Sequence, residues 1–244
     1  MRSDGSVWCW GKNAFGQLGD GTGESRLTAA PVVGLGPALQ LDVAGPSCAT
    51  LPTGEVACWG KDDFGWAGEA ESAHLTPAIV KHVGDAASVW LPGPASVGLD
   101  GAHCVIHADE AVSCTGENGY GNVDIDIPHD LKDGEMKTIE GVNDAIQVAG
   151  TLSTTCALRA SGHVRCWGTN ANGLLGIGSF EQPDEKVVTV AGLEGVLHLA
   201  GGRGHMCAAL GSGGVACWGS NDVGQLGDGT NEDRAAPVHV LGLP

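Results

Sequence analysis

Residues 156–168, Cys156-Ala-Leu-Arg-Ala-Ser-Gly-His-Val-Arg-Cys166-Trp-Gly168, decide the fold, because the chain repeats their pattern. Cys48 and Cys58, Cys104 and Cys114, and Cys207 and Cys217 share the C-x9-C spacing of Cys156 and Cys166. The second cysteine of each pair opens a block that Cys9 also opens: Cys9-Trp-Gly, Cys58-Trp-Gly, Cys114-Thr-Gly, Cys166-Trp-Gly and Cys217-Trp-Gly. These blocks lie 49, 56, 52 and 51 residues apart. A period near fifty residues marks a propeller or a solenoid.

Glycine keeps the same step. It falls seven residues after each block cysteine, at Gly16, Gly65, Gly121, Gly173 and Gly224, and again at Gly19, Gly68, Gly176 and Gly227, where the third copy has Asp124. Residues 16–22 and 224–230 are the same heptapeptide, Gly-Gln-Leu-Gly-Asp-Gly-Thr. A β-rich run follows each loop, seen in Pro31-Val-Val-Gly-Leu35, Pro77-Ala-Ile-Val80, Val187-Val-Thr-Val190 and Pro237-Val-His-Val240. The third copy is the degenerate one.

Each C-x9-C segment reads as a β-hairpin. With Pro52-Thr53-Gly54 as a three-residue turn and glycine in the left-handed position, Cys48 stands opposite Cys58. Ala160-Ser161-Gly162 and Gly211-Ser212-Gly213 fit that turn, whereas Ala108-Asp109-Glu110 leaves the third turn open. Opposed antiparallel residues have α-carbons about 4.5 to 5.5 Å apart, within disulfide reach. Four bridges are therefore expected: Cys48–Cys58, Cys104–Cys114, Cys156–Cys166 and Cys207–Cys217. Cys9 has the turn Ser3-Asp4-Gly5, but its counterpart falls two residues before Met1, so it is expected to be unpaired and the sequence to begin inside a repeat.

These motifs, with the Cys156-Ala-Leu158 strand and the Gly-Gln-Leu-Gly-Asp-Gly-Thr loop, resemble the regulator of chromosome condensation repeat family in its cysteine-rich bacterial branch. The resemblance implies an all-β propeller of four-stranded blades, normally seven to the ring. On that pattern residues 1–38 are a partial repeat, and 39–87, 88–142, 143–194 and 195–244 are full ones within a single domain. A ring of seven needs about 360 residues at this period, so an incomplete ring is expected, a closed five-bladed ring being the alternative.

Opposed cysteine pairs imply an oxidising compartment, extracellular, periplasmic or at the cell surface. A signal sequence, and a lipid anchor if there is one, would then lie upstream. Each bridge closes a loop of about eleven residues, valued at about 2.8 kcal/mol by chain entropy. Zinc is the competing use of the cysteines, but its ligands favour spacings of two to four residues. No metal and no cofactor are expected.

Twelve Lys and Arg against 29 Asp and Glu give a formal charge of −17, which repels nucleic acid. No apolar run is long enough to span a membrane. His103 and His107 share a strand face but read as two surface histidines, and Asp124, Asp126, Asp130 and Asp133 as a solvated insertion. Gly45-Pro46-Ser47-Cys48-Ala49 approaches a nucleophile elbow but lies at the start of a hairpin, and Gly11-Lys12 is followed by Asn rather than Ser or Thr. Trp10, Trp59, Trp167 and Trp218 hold one repeat position and are expected to pack in the core rather than to serve a photoreceptor.

The function expected is a non-enzymatic scaffold that binds a protein or glycan through blade loops, a role the resemblance also implies through a propeller-type β-lactamase inhibitor. The alternative is guanine-nucleotide exchange on a small GTPase, which the founding member performs. Disulfide-spaced cysteines argue against it, since a cytosolic protein would keep them reduced.

Overall fold

The structure is a computed structural model and describes residues 1–44, 46–62, 72–91, 102–123, 126–127, 129–131 and 134–243. Gly45, Gly65, Gly68, Asp124 and Asp133, singled out above, lie outside the described residues. The fold is all-β. A two-stranded sheet, β1 (Trp8–Gly11) and β2 (Arg26–Pro31), precedes four four-stranded antiparallel sheets. The second blade holds β3 (Gln40–Val43), β4 (Pro46–Thr50), β5 (Val56–Asp62) and β6 (Ser72–Ile79). The third holds β7 (Ala86–Trp90), β8 (Ala102–His107), β9 (Val112–Gly116) and β10 (Lys137–Thr138). The fourth holds β11 (Ala145–Gly150), β12 (Thr154–Arg159), β13 (Val164–Gly168) and β14 (Val187–Thr189). The fifth holds β15 (Val196–Gly201), β16 (His205–Leu210), β17 (Val215–Gly219) and β18 (Arg234–His239). The last strand of the half-blade is Arg26–Pro31, upstream of the Pro31–Leu35 run read from sequence.

The central hairpin of each full blade carries its cysteines directly opposite one another, and the structure bridges all four pairs with α-carbons 4.0 to 4.1 Å apart. That spacing is closer than 4.5 to 5.5 Å and lies nearest the narrow, non-hydrogen-bonded kind of antiparallel pair. Turn geometry fixes the register. Leu51 N–H donates to Glu55 O at 2.9 Å, leaving residues 52–54 as the turn, with Gly54 at φ +81°. Gly5, Gly162 and Gly213 repeat this at φ +80°, +79° and +95°. The third copy makes the same turn without glycine: His107 N–H reaches Ala111 O at 2.9 Å, and Glu110 takes φ +67°. A side chain there costs about 1–2 kcal/mol, so the disulfide-closed hairpin imposes a conformation that Glu110 does not favour.

Adjacent residues on a strand point to opposite faces, and the Cys-Trp pair exploits this. Trp59 packs with Val7, Val32 and Ala49 towards the half-blade, while neighbouring Cys58 packs with Val80, Val89 and Val105 towards the third blade. Trp167 likewise joins the third-blade cluster of Cys104, Cys114 and Ile139, and Cys166 joins Met206 and Trp218 of the fifth blade. Each apolar cluster therefore spans one blade-to-blade seam. Near the propeller axis, side chains lock neighbouring first strands: Gln40 of β3 donates to Val89 O (3.0 Å) and accepts from Val89 N–H (2.9 Å) on β7. Gln147 of β11 does the same with Leu199 of β15, at 2.9 and 2.8 Å.

The turn glycines separate backbone preference from packing. A β-carbon on Gly54 would lie 2.6 Å from Gly84 O, whereas one on Gly213 meets nothing within 4 Å. Gly213→Ala is expected to cost about 1 kcal/mol, the left-handed penalty alone, and Gly54→Ala at least about 2 kcal/mol through the added backbone clash. Equal urea midpoints for the two variants would refute this.

Candidate functional site

The loops that follow the Cys-Trp-Gly strands are organised by a residue the sequence reading passed over. Asn13, Asn118, Asn170 and Asn221 each lie four residues after a block cysteine and are buried. Asn170 Nδ2 donates to Ser179 O (2.8 Å) and Glu181 O (2.7 Å), and its Oδ1 accepts from Leu175 N–H (3.0 Å). Asn13 binds Thr22 O, Glu24 O and Leu18 N–H in the same way, and Asn221 binds Thr230 O, Glu232 O and Leu226 N–H. Asn118 binds Ile127 O and Val123 N–H. One side chain thus satisfies three backbone groups of a loop that has no ladder of its own. The recurrence at the fourth position after the cysteine, with Asp62 in the second copy, was legible in the sequence.

The stapled loop presents a carbonyl to the following blade. Trp59 Nε1–H donates to Gln17 O (3.0 Å), Trp167 to Asn122 O (2.9 Å) and Trp218 to Leu174 O (2.8 Å). These indoles are 1%, 2% and 0% exposed. Trp10, expected in the core, is 65% exposed instead, with no loop of the described residues laid over it as Gln17, Asn122 and Leu174 are laid over the other three indoles. In the two Gly-Asp-Gly-Thr copies an ion pair braces the loop, Asp20 to Arg26 and Asp228 to Arg234. Burial opposes ionisation of Asp20, but hydrogen bonds from Thr22 and Arg26 outweigh it and hold the carboxyl at about 2. The Thr230 hydroxyl, then Arg234, hold Asp228 well below the usual carboxylate range against burial.

Departures from the repeat concentrate in the third blade. Thr115 stands where the other copies have Trp, and Glu110 where they have Gly. A side-chain chain runs across this blade: Asp85 Oδ1 accepts from His107 Nδ1 (2.7 Å), His107 Nε2 meets Ser113 Oγ (2.9 Å), and Ser113 Oγ meets Thr138 Oγ1 (3.0 Å). The connectivity is that of a nucleophilic triad, yet the fourth blade places Asp144 and Arg159 at the first two positions as an ion pair. Ser113 also sits mid-strand, paired with Val105 on one side and Thr138 on the other, rather than raised on a turn. The chain therefore reads as a brace of the hairpin, with His107 in the role of Arg159.

Beside this brace lies a cleft of about 170 Å³ between the third and fourth blades. Val123, Ile139 and Trp167 form its apolar part, and Lys137, Lys186 and Glu140 bring charge to it. Concave apolar surface with a few placed polar groups is what a protruding side chain of a partner fits. His103 does not face solvent as expected; it is 4% exposed within β8, and only His107 reaches the blade surface. Asp126 pairs with Lys186, and Asp130 accepts from Asn118 N–H at 2.9 Å, so these two described carboxylates brace the insertion. Ser47 is buried in β4 with its hydroxyl towards Gln17 O, at 3.4 Å. Cys9 is the one free cysteine among the described residues, and burial pushes its thiol up. Among those residues no group of three or more His, Cys, Asp or Glu is placed to hold a metal, and no helix is long and apolar enough to cross a membrane.

Three segments match models of the Regulator of chromosome condensation (RCC1) repeat: 4–38 and 212–244 for one model, 145–174 for another. The fold is similar to that of human WBSCR16 (TM-score 0.79, 21% identity, 98% of this chain and 63% of that one). It is also similar to Prp20p of Saccharomyces cerevisiae (TM-score 0.74, 18% identity, 100% of this chain and 61% of that one). Among curated proteins, the human probable E3 ubiquitin-protein ligase HERC3 is 40% identical over 86 residues, 34% of this chain and 8% of HERC3. The RCC2 homolog of Xenopus laevis is 32% identical over 108 residues, 41% of this chain and 21% of that protein. The fold is thus that of a β-propeller, and three segments of the chain match RCC1-repeat models. Among the described residues there are four four-stranded blades and one two-stranded sheet, and the chain spans about three fifths of the solved propellers it resembles.

Two substitutions test the loop. Asn170→Ala leaves three buried backbone groups unsatisfied and is expected to destabilise by at least about 3 kcal/mol, read from the urea midpoint; a loss under about 1 kcal/mol would sink the staple. Asp20 has a folded pKa below its unfolded value, so its contribution is present above about pH 4 and is lost as pH falls through about 2. Asp20→Asn should lower stability at pH 7 and leave a shallower loss of stability between pH 4 and 2 than the wild type shows.

Proposed function

We propose that the chain is a non-enzymatic repeat scaffold acting outside the cytoplasm, in the extracellular space, the periplasm or at the cell surface, and that it binds a protein or a glycan through loops that differ from blade to blade. The observation that carries this reading is the division of labour within the repeat. Disulfide, Trp and Asn positions build the frame in nearly every copy, while the third copy has Thr115 for Trp and Glu110 for the turn glycine and borders the cleft beside Trp167. Function on a propeller resides in sites grafted onto a common frame. Four bridges in hairpins support an oxidising compartment, and a formal charge of −17 argues for a partner other than nucleic acid.

Exchange activity on a small GTPase is the reading kept against this one. Its support is the fold likeness to Prp20p, a protein that binds Gsp1p and histones. At 18% identity that likeness carries the fold and not the activity.

Intact-mass analysis with alkylation before and after reduction, on protein exported to an oxidising compartment, is expected to show one reactive thiol before reduction and nine after it. Nine reactive thiols without reduction would overturn the extracytoplasmic reading. Release of a fluorescent guanine nucleotide from Gsp1p should be no faster with the protein than without it, and acceleration would favour the exchange reading.

A further inference from the structure

One framework position holds glycine in four copies of the repeat and histidine in the other. Each blade sends an N–H from the end of its outermost strand back to the central hairpin: Val32 to Val7 O, Val80 to Val56 O, Ile139 to Val112 O, Val190 to Val164 O and Val240 to Val215 O. Two residues further on stand Gly34, His82, Gly141, Gly192 and Gly242, with φ of +78°, +63°, +83°, +63° and +78°. Only the backbone conformation is required there, since a β-carbon on Gly34, Gly192 or Gly242 would meet nothing within 4 Å. His82 is exposed, and its ring makes no hydrogen bond or ion pair among the described residues. The fold therefore gains nothing from this imidazole, yet it carries a side chain in a left-handed conformation that glycine adopts freely. Strain of this kind persists where a side chain serves a site.

His82 borders an open cleft of about 700 Å³ together with His107, Ser113, Glu135, Met136 and Thr138. Two more of these residues depart from the repeat. His107 stands where the other full blades have Leu51, Arg159 and Leu210, and Ser113 where they have Ala57, Arg165 and Ala216. Departures on three separate elements thus line one space. His107 spends its two ring nitrogens on Asp85 and Ser113, and Ser113 holds the Thr138 hydroxyl, which is exposed and keeps capacity for a further hydrogen bond. Glu135 is exposed and has no partner among the described residues.

The ligand follows from this inventory. A carboxylate only accepts, a hydroxyl both donates and accepts, and a neutral imidazole offers one of each. Glu135 turns anions away, and Asp85, the other carboxylate here, is engaged by His107. Met136 is the one apolar side chain on the wall among the described residues, so an apolar group finds little to cover it. A single cationic side chain would satisfy Glu135 and leave most of the cleft empty. A neutral molecule with hydroxyls on neighbouring atoms uses all three free groups at once. We infer that this cleft is a saccharide-binding site, in which Glu135 accepts from ligand hydroxyls while His82 and Thr138 bond their neighbours. The inference rests on the scaffold reading above and selects a glycan as the partner.

Fluorescently labelled protein applied to immobilised neutral oligosaccharides of glucose, galactose, mannose and N-acetylglucosamine tests this, with heparin fragments and a lysine-rich peptide as anionic and cationic probes. Binding to at least one neutral series, and to neither charged probe, is expected. His82→Gly and Glu135→Gln are each expected to weaken that binding by at least about tenfold. His82→Gly installs the residue of the other four copies, so its urea midpoint is expected at or above that of the wild type. A midpoint below the wild type would make His82 a structural residue and overturn the inference. Undiminished binding in both variants overturns it too, as does binding to a charged probe that equals or replaces binding to the neutral ones. A protein with one reactive thiol that binds no neutral oligosaccharide overturns the saccharide site and leaves the scaffold reading standing. Nine reactive thiols in a protein that does bind one overturn the extracytoplasmic reading and leave the site.

Discussion

The seam between blades is the interaction on which everything else depends. A four-stranded sheet of mostly small residues buries too little by itself, so its stability comes from what its two faces meet. The Cys-Trp dipeptide writes both faces at once, because neighbours on a strand point in opposite directions. Trp59 looks back to the half-blade and Cys58 forward to the third blade. The indole adds a directional contact to the apolar burial, since its N–H finds a loop carbonyl at three seams, the one between the second and third blades having Thr115 instead. That bond fixes how far each blade is set from the previous one.

The carbonyl is useful only if its loop is rigid, and this gives the buried asparagines their place. Asn13, Asn170 and Asn221 each tie two carbonyls and an N–H of a loop that lacks ladder partners, and Asn118 ties Ile127 O and Val123 N–H in the same position. The glycines around them serve the same end by a different route. Gly173 lets the loop approach Ala235 where a β-carbon would collide with backbone. Disulfide, staple and close approach thus form one chain of constraint, from the hairpin to the loop to the neighbouring blade. The third blade loosens this chain at several points, with Thr115 for Trp, Glu110 for Gly and an inserted loop, and the cleft beside Trp167 lies there. A repeat that needs fewer of its framework residues has positions to give to recognition.

Sequence reading recovered the frame because the frame is periodic. Four C-x9-C pairs, turn glycines such as Gly54 and the Cys-Trp-Gly blocks prescribe hairpins, their register and the blade count, all of them local consequences of chain geometry. The Asn staple was equally periodic and went unread, since a polar residue after Cys-Trp-Gly looks like an ordinary loop residue until its three backbone partners are seen. Reading His103 as a surface residue failed for a related reason: alternation assigns a face to a strand residue, but not what covers that face. The linkage of Asp85, His107, Ser113 and Thr138 spans four elements and has no spacing from which it could be found.

The sequence by itself determined the repeat, the opposed cysteines and the all-β blade, because each follows from contacts between residues near one another in the chain. Tertiary structure alone decided which equivalent residues are used in the same way. Trp10 and Trp218 occupy one repeat position, yet one is 65% exposed and the other fully buried. Trp218 is covered by the loop of Leu174, 44 residues earlier, and a local pattern, which sets only the face a strand residue points to, does not record what is packed on that face.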